Sequence, residues 1–405
     1  MPDAPIPSAP SGPGSSGSSS GDACPGALRL HAADDGGLAR IRVPGGVLTV
    51  PQARALGDAA VRHGDGVVRI TSRGNVEVRG LDLTGGAAFG NALTAAGLLP
   101  SPTHERVRNI LASPLAGLDG AGSADVREWL RELDRLLLAH PDAPALSAKY
   151  LFGLDDGRGD IAALGPDVLL RALGHDHAVL RLGAEPYELP VAYGDGPRAA
   201  VAATEEFLAA ADADPGRAWR VGELDLGTGE LTRRVACRLG VEPVPAKDAA
   251  PSATAPPEPP PPGPVTDATG TVRAWSVLAP FGAVSADAWT ALVAAADGEV
   301  RLTPWRGVVV PGADREPLER AGLVTDPASP WAKVSACVGR PGCAKSLADV
   351  RAHATAAVRS GEVPHDGPPW HWSGCERRCG RPTGPHTDVV ARADGTYHLT
   401  APTTA

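Results

Sequence analysis

Alternating apolar and polar residues in the segment RITSRGNVEVRG, residues 69–80, predict a β-strand with two unlike faces. Successive side chains of a strand point to opposite sides, so Ile70, Val76 and Val78 share one face. The other face carries Arg69, Thr71, Arg73, Asn75, Glu77 and Arg79. Such an arginine-rich face is either exposed to solvent or lines a site for polyanions.

This strand belongs to an internal repeat. Residues 43–80 and residues 279–312 each predict a strand, a turn, a helix introduced by a threonine or serine cap, and a further strand. The motif R-[IL]-T recurs at equivalent places, residues 69–71 and 301–303. The duplication predicts two half-modules around a pseudo-twofold axis, with a ligand between them.

Residues 124–140 predict the clearest helix of the chain, because their apolar residues recur at helical spacing. The face predicted to be buried consists of Val126, Trp129, Leu130, Leu133, Leu136 and Leu137.

Two changes of composition divide the chain. Residues 1–22 are rich in proline, serine and glycine and predict a disordered tail. Residues 241–270 predict an extended, proline-rich linker. The domains expected between and after them are a first half-module at 23–95, a middle α/β domain with the substrate pocket at 96–240, a second half-module at 271–330 and a C-terminal domain with paired cysteines at 331–405.

Charge and hydropathy exclude some classes of function. The net charge of −9 argues against a nucleic-acid binder that relies on a general basic field. No apolar run approaches the roughly 18 residues of a spanning helix, so no membrane segment is expected. The N-terminus has no features of a secretory signal, which predicts a cytoplasmic protein whose paired cysteines are metal ligands rather than disulfides.

Four of the six cysteines stand in two tight pairs, Cys337 with Cys343 and Cys375 with Cys379. A [4Fe–4S] cluster needs four such thiolates converging from short loops. A helix predicted to begin directly after Cys343 would direct its positive end at that cluster. Structural zinc is the first alternative, although its knuckles usually have shorter spacings; coincidental buried cysteines are the second.

The other two cysteines are unpaired along the chain. Cys237 is predicted to be a buried thiol, and Cys24 is a weak candidate for the metal site.

Several cations and polar residues predict a pocket for a polycarboxylate, because the planar guanidinium binds carboxylates bidentately. The residues expected to line it are Arg69, Thr71, Arg73, Asn75, Arg108, Lys149, Arg301 and Thr303. Arg306 falls on the opposite strand face by simple alternation and is not included.

The cysteine spacing C-x5-C…C-x3-C, preceded by the duplicated R-[IL]-T strands, resembles the sulfite and nitrite reductase family. The segments most similar to its precorrin-3B synthase branch are CPGALRLH, RITSRGNVEVRGL, RNILASPLAGLD, AKYLFGLDDG and ACVGRPGCAKSLADVRAHA. The resemblance covers about residues 24–399. It implies an α+β fold of duplicated ferredoxin-like half-modules around a central pocket, with α/β domains that bind the cluster.

The resemblance also implies roles for individual residues. The four paired cysteines would hold the cluster, and in the reductases Cys379 would bridge to a sirohaem iron. Arg73, Arg108 and Lys149 match anion-binding cations of the family. Leu151 replaces a second lysine of the reductase motif, which argues against six-electron reduction of a small oxyanion.

A second departure from the family lies between the last two cysteines, where Glu376, Arg377 and Arg378 replace small or amide residues. We expect Arg378 to crowd this loop.

The precorrin-3B synthase branch implies a monooxygenase of aerobic cobalamin biosynthesis. Its substrate, precorrin-3A, is a methylated tetrapyrrole with eight carboxylates, hydroxylated at C20 with γ-lactone formation by O2 and NADH-derived electrons. The branch also implies a mononuclear non-haem iron, for which the sequence offers no two-His-one-carboxylate set. Because no G-x-G-x-x-G follows a predicted strand, we expect a separate flavin or ferredoxin-type electron donor.

Two alternatives remain at this point. One is a sirohaem-dependent assimilatory sulfite or nitrite reductase. The other is a zinc-stabilised binding protein or a simple electron carrier.

Overall fold

A computed structural model describes residues 25–84, 86–213, 218–246, 259–364, 366–382 and 384–401. The predicted tail, Cys24 and residues 247–258 of the predicted linker lie outside these ranges. Strands at Val244–Pro245 and Gly263–Thr266 fall inside the range predicted as linker, so sheet structure continues on both sides of its undescribed part.

The first half-module is an antiparallel sheet with two helices. Its elements are β1 (His31–Ala33), β2 (Gly36–Ile41), β3 (Val47–Thr49), α1 (Val50–His63), β4 (Val68–Ile70), β5 (Val76–Leu81) and α2 (Gly86–Ala95). The strands β1-β2-β5-β4 lie side by side in that order. Thr49 caps α1, because its hydroxyl accepts from the Gln52 amide at 3.3 Å and the Gln52 side chain accepts from the Thr49 amide at 3.1 Å.

The middle domain follows directly. Its elements are β6 (Ile110–Ala112), α3 (Arg127–Ala139), β7 (Phe152–Asp155), β8 (Val168–Ala172), β9 (His177–Leu182), β10 (Tyr187–Ala192), α4 (Gly196–Asp212), α5 (Thr228–Leu239) and β11 (Val244–Pro245). The sheet has the order β11-β10-β9-β8-β7-β6, with β6, β7 and β8 parallel. Helix α3 buries the predicted apolar face except Leu136, which is partly exposed.

The second half-module repeats the first element by element. It contains β12 (Gly263–Thr266), β13 (Val272–Leu278), β14 (Ala283–Val284), α6 (Ala286–Ala295), β15 (Glu299–Leu302), β16 (Gly307–Pro311) and α7 (Arg315–Arg320). Its strands have the equivalent order β12-β13-β16-β15. Single helical turns at Pro44–Gly46 and Pro280–Gly282 precede β3 and β14 at matching positions.

Each half-module donates one strand to the sheet of the other. β14 pairs with β4, and β3 pairs with β15, both antiparallel. The helices α1 and α6 pack against each other, and the buried Trp289 indole donates to the Ala53 carbonyl at 2.7 Å. The half-modules therefore share one hydrophobic core, and the predicted fold of duplicated half-modules is confirmed.

The C-terminal domain contains β17 (Val334–Ala336), α8 (Val350–Ser360), β18 (Trp370–Ser373), β19 (Thr387–Ala391) and β20 (Tyr397–Thr400). Its sheet has the order β17-β18-β19-β20, of which the first three are parallel and the last antiparallel. The middle domain has the same arrangement in β6-β7-β8-β9, with a helix after the first strand in both cases. The duplication therefore extends beyond the half-modules.

The segment predicted as a single arginine-rich strand is two strands and a turn. β4 ends at Ile70, β5 begins at Val76, and the chain reverses around Gly74, whose φ is 63°. Arg73 and Asn75 consequently lie in the turn, not on a strand face.

The helix predicted to begin directly after Cys343 begins at Val350 instead. Asp349 caps it by accepting from the Ala352 amide at 3.0 Å, and aspartate is a preferred residue for this position. The positive end of α8 is therefore separated from Cys343 by a loop.

The prediction of a buried Cys237 is also wrong. Helix α5 buries Leu231, Val235 and Ala236, and Cys237 lies on its exposed side.

In the described part of the chain, no helix combines the length and the apolar character needed to cross a membrane.

The close packing of α1 against α6 predicts that alanine at Gly57 lowers stability, whereas alanine at an unpacked helix glycine, Gly229, does not. A Cβ at Gly57 would overlap the ring of Trp289, so Gly57→Ala should lower the free energy of unfolding by about 1–3 kcal/mol. Gly229, in α5, has its nearest neighbour, the Glu185 carboxylate, at 3.6 Å. Gly229→Ala should leave stability unchanged or slightly raised, because alanine favours helix. Urea denaturation followed by tryptophan fluorescence checks both variants, and equal losses would contradict the prediction.

Candidate functional site

The four paired cysteines lie at one edge of the C-terminal sheet. Cys337 directly follows β17, and Cys375 follows β18 after a single glycine. Because β17 and β18 are neighbouring parallel strands, the loops after them leave the same edge of the sheet. Cys343 and Cys379 belong to the same two loops. These four residues are called the cysteine site below.

Backbone hydrogen bonds join the two cysteine loops. The Cys337 amide donates to the Trp372 carbonyl at 2.9 Å, and the Leu347 amide donates to the Gly374 carbonyl at 2.8 Å. The Gly374 amide donates to the Cys337 sulfur at 3.3 Å. A side chain at position 374 would overlap Ser346, so only glycine permits this approach.

Arg79 fastens the first cysteine loop to the first half-module. Its buried guanidinium donates to both oxygens of Asp35 at 2.7 Å and to the Gly342 carbonyl at 2.8 Å. Burial lowers the pKa of Arg79, but Asp35 and Glu77 outweigh this effect and raise it. The Asp34 carboxylate also accepts from the amide of Ala344 in the same loop.

The thiols of the cysteine site affect one another electrostatically. Burial raises the pKa of the Cys337 thiol, and the nearby Cys379 and Cys375 raise it further. The backbone amides of Gly374 and Gly339 act in the opposite direction, because they donate hydrogen bonds that favour a thiolate.

The cysteine sulfurs are not arranged around a single tetrahedral ion. Among the residues that the structure describes, no three cysteine sulfurs lie within 4.8 Å of one another. Tetrahedral zinc, with Zn–S bonds of about 2.3 Å, would place them about 3.8 Å apart. The cysteines of a [4Fe–4S] cube bind separate irons, so their sulfurs stand further apart. Four cysteines on two neighbouring loops are the donor set that such a cluster requires.

Several residues predicted for the polycarboxylate pocket hold the framework together. Arg108 forms a buried, bidentate ion pair with Asp134, both contacts at 2.7 Å. Arg301 is 2% exposed and donates to the carbonyls of Pro114 and Ala116 at 2.9 and 2.8 Å.

The predicted pocket residues that lie in turns are likewise hydrogen-bonded within the protein. Asn75 accepts from the Val43 amide at 2.8 Å, and its amide group donates to Asn109 at 3.2 Å. The Thr71 hydroxyl accepts from the Asn75 amide at 3.2 Å, and the equivalent Thr303 hydroxyl accepts from the amide of Gly307 at 3.0 Å.

Three predicted pocket residues keep partly exposed cationic side chains, Arg69, Arg73 and Lys149. Arg69 is paired with Asp65. Arg73 reaches the middle domain and donates to the carbonyl of Lys149 at 3.2 Å, and the Lys149 ammonium stands 3.9 Å from the centre of the Trp219 ring. The structure thus brings Arg73 and Lys149 together. Arg69 lies apart from them, against Asp65 in the loop before β4. That any of these residues binds a substrate stays a prediction.

The pocket prediction left out three arginines beside the cysteine site. Arg79 shares the alternating pattern of Arg69, so the sequence carried a signal for it. Arg351 of α8 donates to the Cys337 carbonyl at 3.2 Å, and no pattern in the sequence indicates this. Arg306 lies in the turn between β15 and β16 with a φ of 65°, so strand alternation does not assign its side chain to a face.

Arg378, expected to crowd the loop, adopts a left-handed φ of 46° and points its guanidinium at carboxylates. It donates to Asp388 at 3.0 Å and to Glu376 at 3.1 Å.

A group of three carboxylates could in principle hold a metal ion, Asp155, Asp156 and Asp160. Their oxygens already have partners. Asp155 accepts from four backbone amides, Asp156 pairs with Arg158 at 2.7 Å, and Asp160 accepts from the Ser113 hydroxyl at 2.6 Å. This group does not fit the mononuclear iron that the resemblance implies, and the described residues contain no second group of three such ligands.

Two surface cavities lie away from the predicted pocket. One of about 560 Å³ lies between residues 117–120 and the ends of the second half-module's hairpins, near Asp267 and Arg273. The other, of about 220 Å³, lies between α1 and α6. Neither is lined by a residue predicted to bind substrate.

Comparison with known proteins identifies the half-module. Residues 31–86 match the model of the nitrite/sulfite reductase ferredoxin-like half domain. A ferredoxin–nitrite reductase from Synechococcus elongatus is 35% identical over 127 residues, which are 30% of this chain and 25% of that enzyme. A precorrin-3B synthase from Sinorhizobium is 26% identical over 385 residues, which are 92% of this chain and 81% of that enzyme.

The chain is related to the nitrite and sulfite reductases. The predicted resemblance is thereby confirmed. Among solved structures, the NirA protein of Mycobacterium tuberculosis has a TM-score of 0.70 at 22% identity, covering 90% of this chain and 73% of NirA. That likeness shows the fold. The second half-module, which repeats the first element by element, lies outside the matched residues.

Asp160 predicts a specific dependence of stability on pH. Burial raises its pKa to about 7, with Asp155 and Asp156 adding to the rise and Ser113 opposing it. A carboxyl with a higher pKa in the folded chain stabilises the protein below the unfolded value of 3.8, and this stabilisation is lost as pH rises to about 7. Asp160→Asn should therefore lose less stability than the native chain between about pH 5 and pH 8.

The measurement is urea denaturation at both pH values. Asp119→Asn is the control, because hydrogen bonds and charge from Arg158 hold the pKa of Asp119 below its usual value despite burial, and its titration falls outside this range. A native pH profile matching that of Asp160→Asn would contradict the assignment.

Arg79 predicts a defect confined to the cysteine loop. Arg79→Lys replaces a planar fork by a single ammonium, which cannot span both Asp35 and the Gly342 carbonyl. We expect bound iron and acid-labile sulfide to fall severalfold after reconstitution, while far-UV circular dichroism stays native. Arg315→Lys is the matched control, because Arg315 forms an exposed pair with Glu319 at 2.7 Å on α7. Full iron and sulfide content in Arg79→Lys would show that this fastening is dispensable.

Proposed function

We propose that the protein is an oxidoreductase that acts on a polycarboxylate tetrapyrrole, as a monooxygenase of the precorrin-3B synthase type. The observation that supports this most is the extent of the match to the Sinorhizobium synthase, 92% of this chain and 81% of that enzyme. The match to the cyanobacterial nitrite reductase is higher in identity but spans 25% of that enzyme.

The cysteine site supplies the proposed redox centre. Cys337, Cys343, Cys375 and Cys379 would hold a [4Fe–4S] cluster, which transfers electrons one at a time. The amide of Gly374 donates to the Cys337 sulfur, and such hydrogen bonds stabilise negative charge on a thiolate. Arg79 keeps the first of the two loops in place against the sheet of the first half-module.

The substrate would lie against the arginine-bearing turn of the first half-module and the adjoining middle domain. Arg73 and Lys149 provide positive charge there, and Lys149 is steadied by the Trp219 ring at 3.9 Å. We assign a structural role instead to the buried residues Arg108, Asn75 and Arg301. Their polar groups are hydrogen-bonded to other groups of the protein.

The proposed reaction inserts one oxygen atom of O2 at C20 of precorrin-3A, and the other oxygen leaves as water. Two electrons and two protons complete this balance. The γ-lactone then closes by addition of a side-chain carboxylic acid across a ring double bond next to C20, a step that changes no net oxidation state. The electrons would come ultimately from NADH through a separate flavin or ferredoxin-type donor, because the sequence lacks a dinucleotide fingerprint. We assign no step to a mononuclear iron, for which the described residues offer no fitting ligands.

A sirohaem-dependent sulfite or nitrite reductase is the second candidate. The 35% local identity to a nitrite reductase supports it. Against it stands Leu151, at the position where the reductase motif is expected to carry a second lysine. Its side chain is 5% exposed and packs with Leu111 and Ile161, so no cation for a small oxyanion is available at this point.

The decisive experiment is incorporation of labelled oxygen. Protein purified anaerobically and reconstituted with iron and sulfide is given precorrin-3A, a chemical reductant and ¹⁸O2. We expect a product heavier by one oxygen atom that carries the label. The control is Cys379→Ser, which should lose cluster absorbance and product together.

The result that would contradict the proposal is equally specific. Sirohaem absorption bands in the purified protein, together with sulfite or nitrite reduction and no labelled product, would favour the reductase instead.

A further inference from the structure

The described part of the chain contains three non-glycine residues with a left-handed backbone, and all three lie in or against the C-terminal domain. Arg378 lies within the second cysteine loop. Phe281 contacts Trp331 and the core of the C-terminal domain, and Arg306 precedes β16. This conformation costs a non-glycine residue roughly 1 kcal/mol or more, and such residues tend to persist at functional sites.

The internal duplication shows that the strain at Arg306 is not required by the fold. Its counterpart in the first half-module is Gly74, with φ of 63° against 65° at Arg306. The surrounding hydrogen bonds are the same, because the Gly74 amide donates to Thr71 and the Arg306 amide to Thr303, at 3.1 and 3.0 Å. An identical turn is therefore built with glycine in one copy and with arginine in the other.

Protein contacts account for two of the three strained residues. Phe281 stacks edge to face on Trp331 at 5.4 Å, which fills the C-terminal core. Arg378 is paired with Asp388 and Glu376. By contrast, the guanidinium of Arg306 has no hydrogen bond and no carboxylate within 4 Å among the residues that the structure describes.

The side chain of Arg306 reaches the loop of the last cysteine. One terminal nitrogen lies 3.3 Å from the position that a Cβ of Gly380 would occupy, next to Cys379. It also lies near the buried His371, whose ring nitrogen contacts the Cys379 carbonyl at 3.2 Å. Burial lowers the pKa of His371 to about 4, and the charge of Arg306 adds to this lowering.

Arg306 is only partly exposed to water. Burial lowers the pKa of Arg306, and Glu77 opposes this only in part. The Glu77 carboxylate is itself engaged by Arg40 and Arg79, at 3.0 and 3.3 Å. A partly desolvated cation without a protein partner is available to pair with an anion.

We propose that Arg306 binds one carboxylate of the substrate and so holds the acidic macrocycle against the loop that carries Cys379. This inference rests on the proposed function, because it takes its ligand from the polycarboxylate tetrapyrrole. A planar guanidinium binds a carboxylate through two parallel hydrogen bonds, which fixes orientation as well as position. The arginine would therefore set how the ring faces the cysteine site.

The test measures binding of uroporphyrin, a stable tetrapyrrole with eight carboxylates, to the cluster-loaded protein by fluorescence quenching. We expect Arg306→Gly to weaken binding by about 10- to 100-fold, the range for a hydrogen-bonded charged pair. Its thermal stability should equal or exceed that of the native chain, because glycine accepts the left-handed backbone. Arg378→Gly is the matched control: the residue is left-handed and near Cys379, but its charge is already paired, so binding should change by less than about twofold.

A second measurement separates a substrate carboxylate from the cluster as the partner of Arg306. The midpoint potential of the cluster, followed by electron paramagnetic resonance, should be the same in Arg306→Gly and the native protein. A shifted potential with unchanged uroporphyrin binding overturns the inference in favour of the cluster. Unchanged binding and unchanged potential also overturn it. Failure of the native protein to bind uroporphyrin overturns the inference together with the proposed tetrapyrrole substrate, whereas failure of Arg306→Gly alone to differ leaves that substrate standing.

Discussion

The reciprocal exchange of edge strands between the two half-modules is the constraint on which the rest of the molecule depends. β3 completes the sheet that contains β15, and β14 completes the sheet that contains β4. Neither sheet is complete within its own stretch of sequence, so the two halves must assemble together. The turn before β3 then contacts β6 of the middle domain, and the turn before β14 contacts β17 of the C-terminal domain.

Three arginines of this protein fasten loops. Arg301 binds the carbonyls after β6, Arg73 those before β7, and Arg79 the carbonyl of Gly342. A guanidinium suits this task, because its several donors can satisfy carbonyls that no strand pairs with. High arginine content on a strand therefore indicates a loop to be held as readily as an anion to be bound.

Much of the fold and the cysteine site could be predicted from the sequence. Apolar alternation, the recurring R-[IL]-T motif and the cysteine spacing are local features of the sequence. They correspond in the structure to strands, to the repeated half-module and to two neighbouring cysteine loops. The rest depends on partners distant in the chain. That Arg108 meets Asp134, and that Arg301 meets Pro114, follows from packing that no short segment encodes. The position of the Arg306 side chain could not be predicted, because this residue lies in a left-handed turn between two strands and alternation applies only within a strand.

The counterpart of the cysteine site in the middle domain shows what the duplication has preserved. Ser113 occupies the place of Cys337: its amide donates to the Leu154 carbonyl at 3.1 Å, and its hydroxyl accepts from the Asp156 amide at 3.1 Å. The same pattern of backbone bonds thus surrounds an alcohol in one copy and a thiol in the other. The two copies therefore keep the same path of the main chain but differ in the side-chain atom at this position, which is oxygen in Ser113 and sulfur in Cys337.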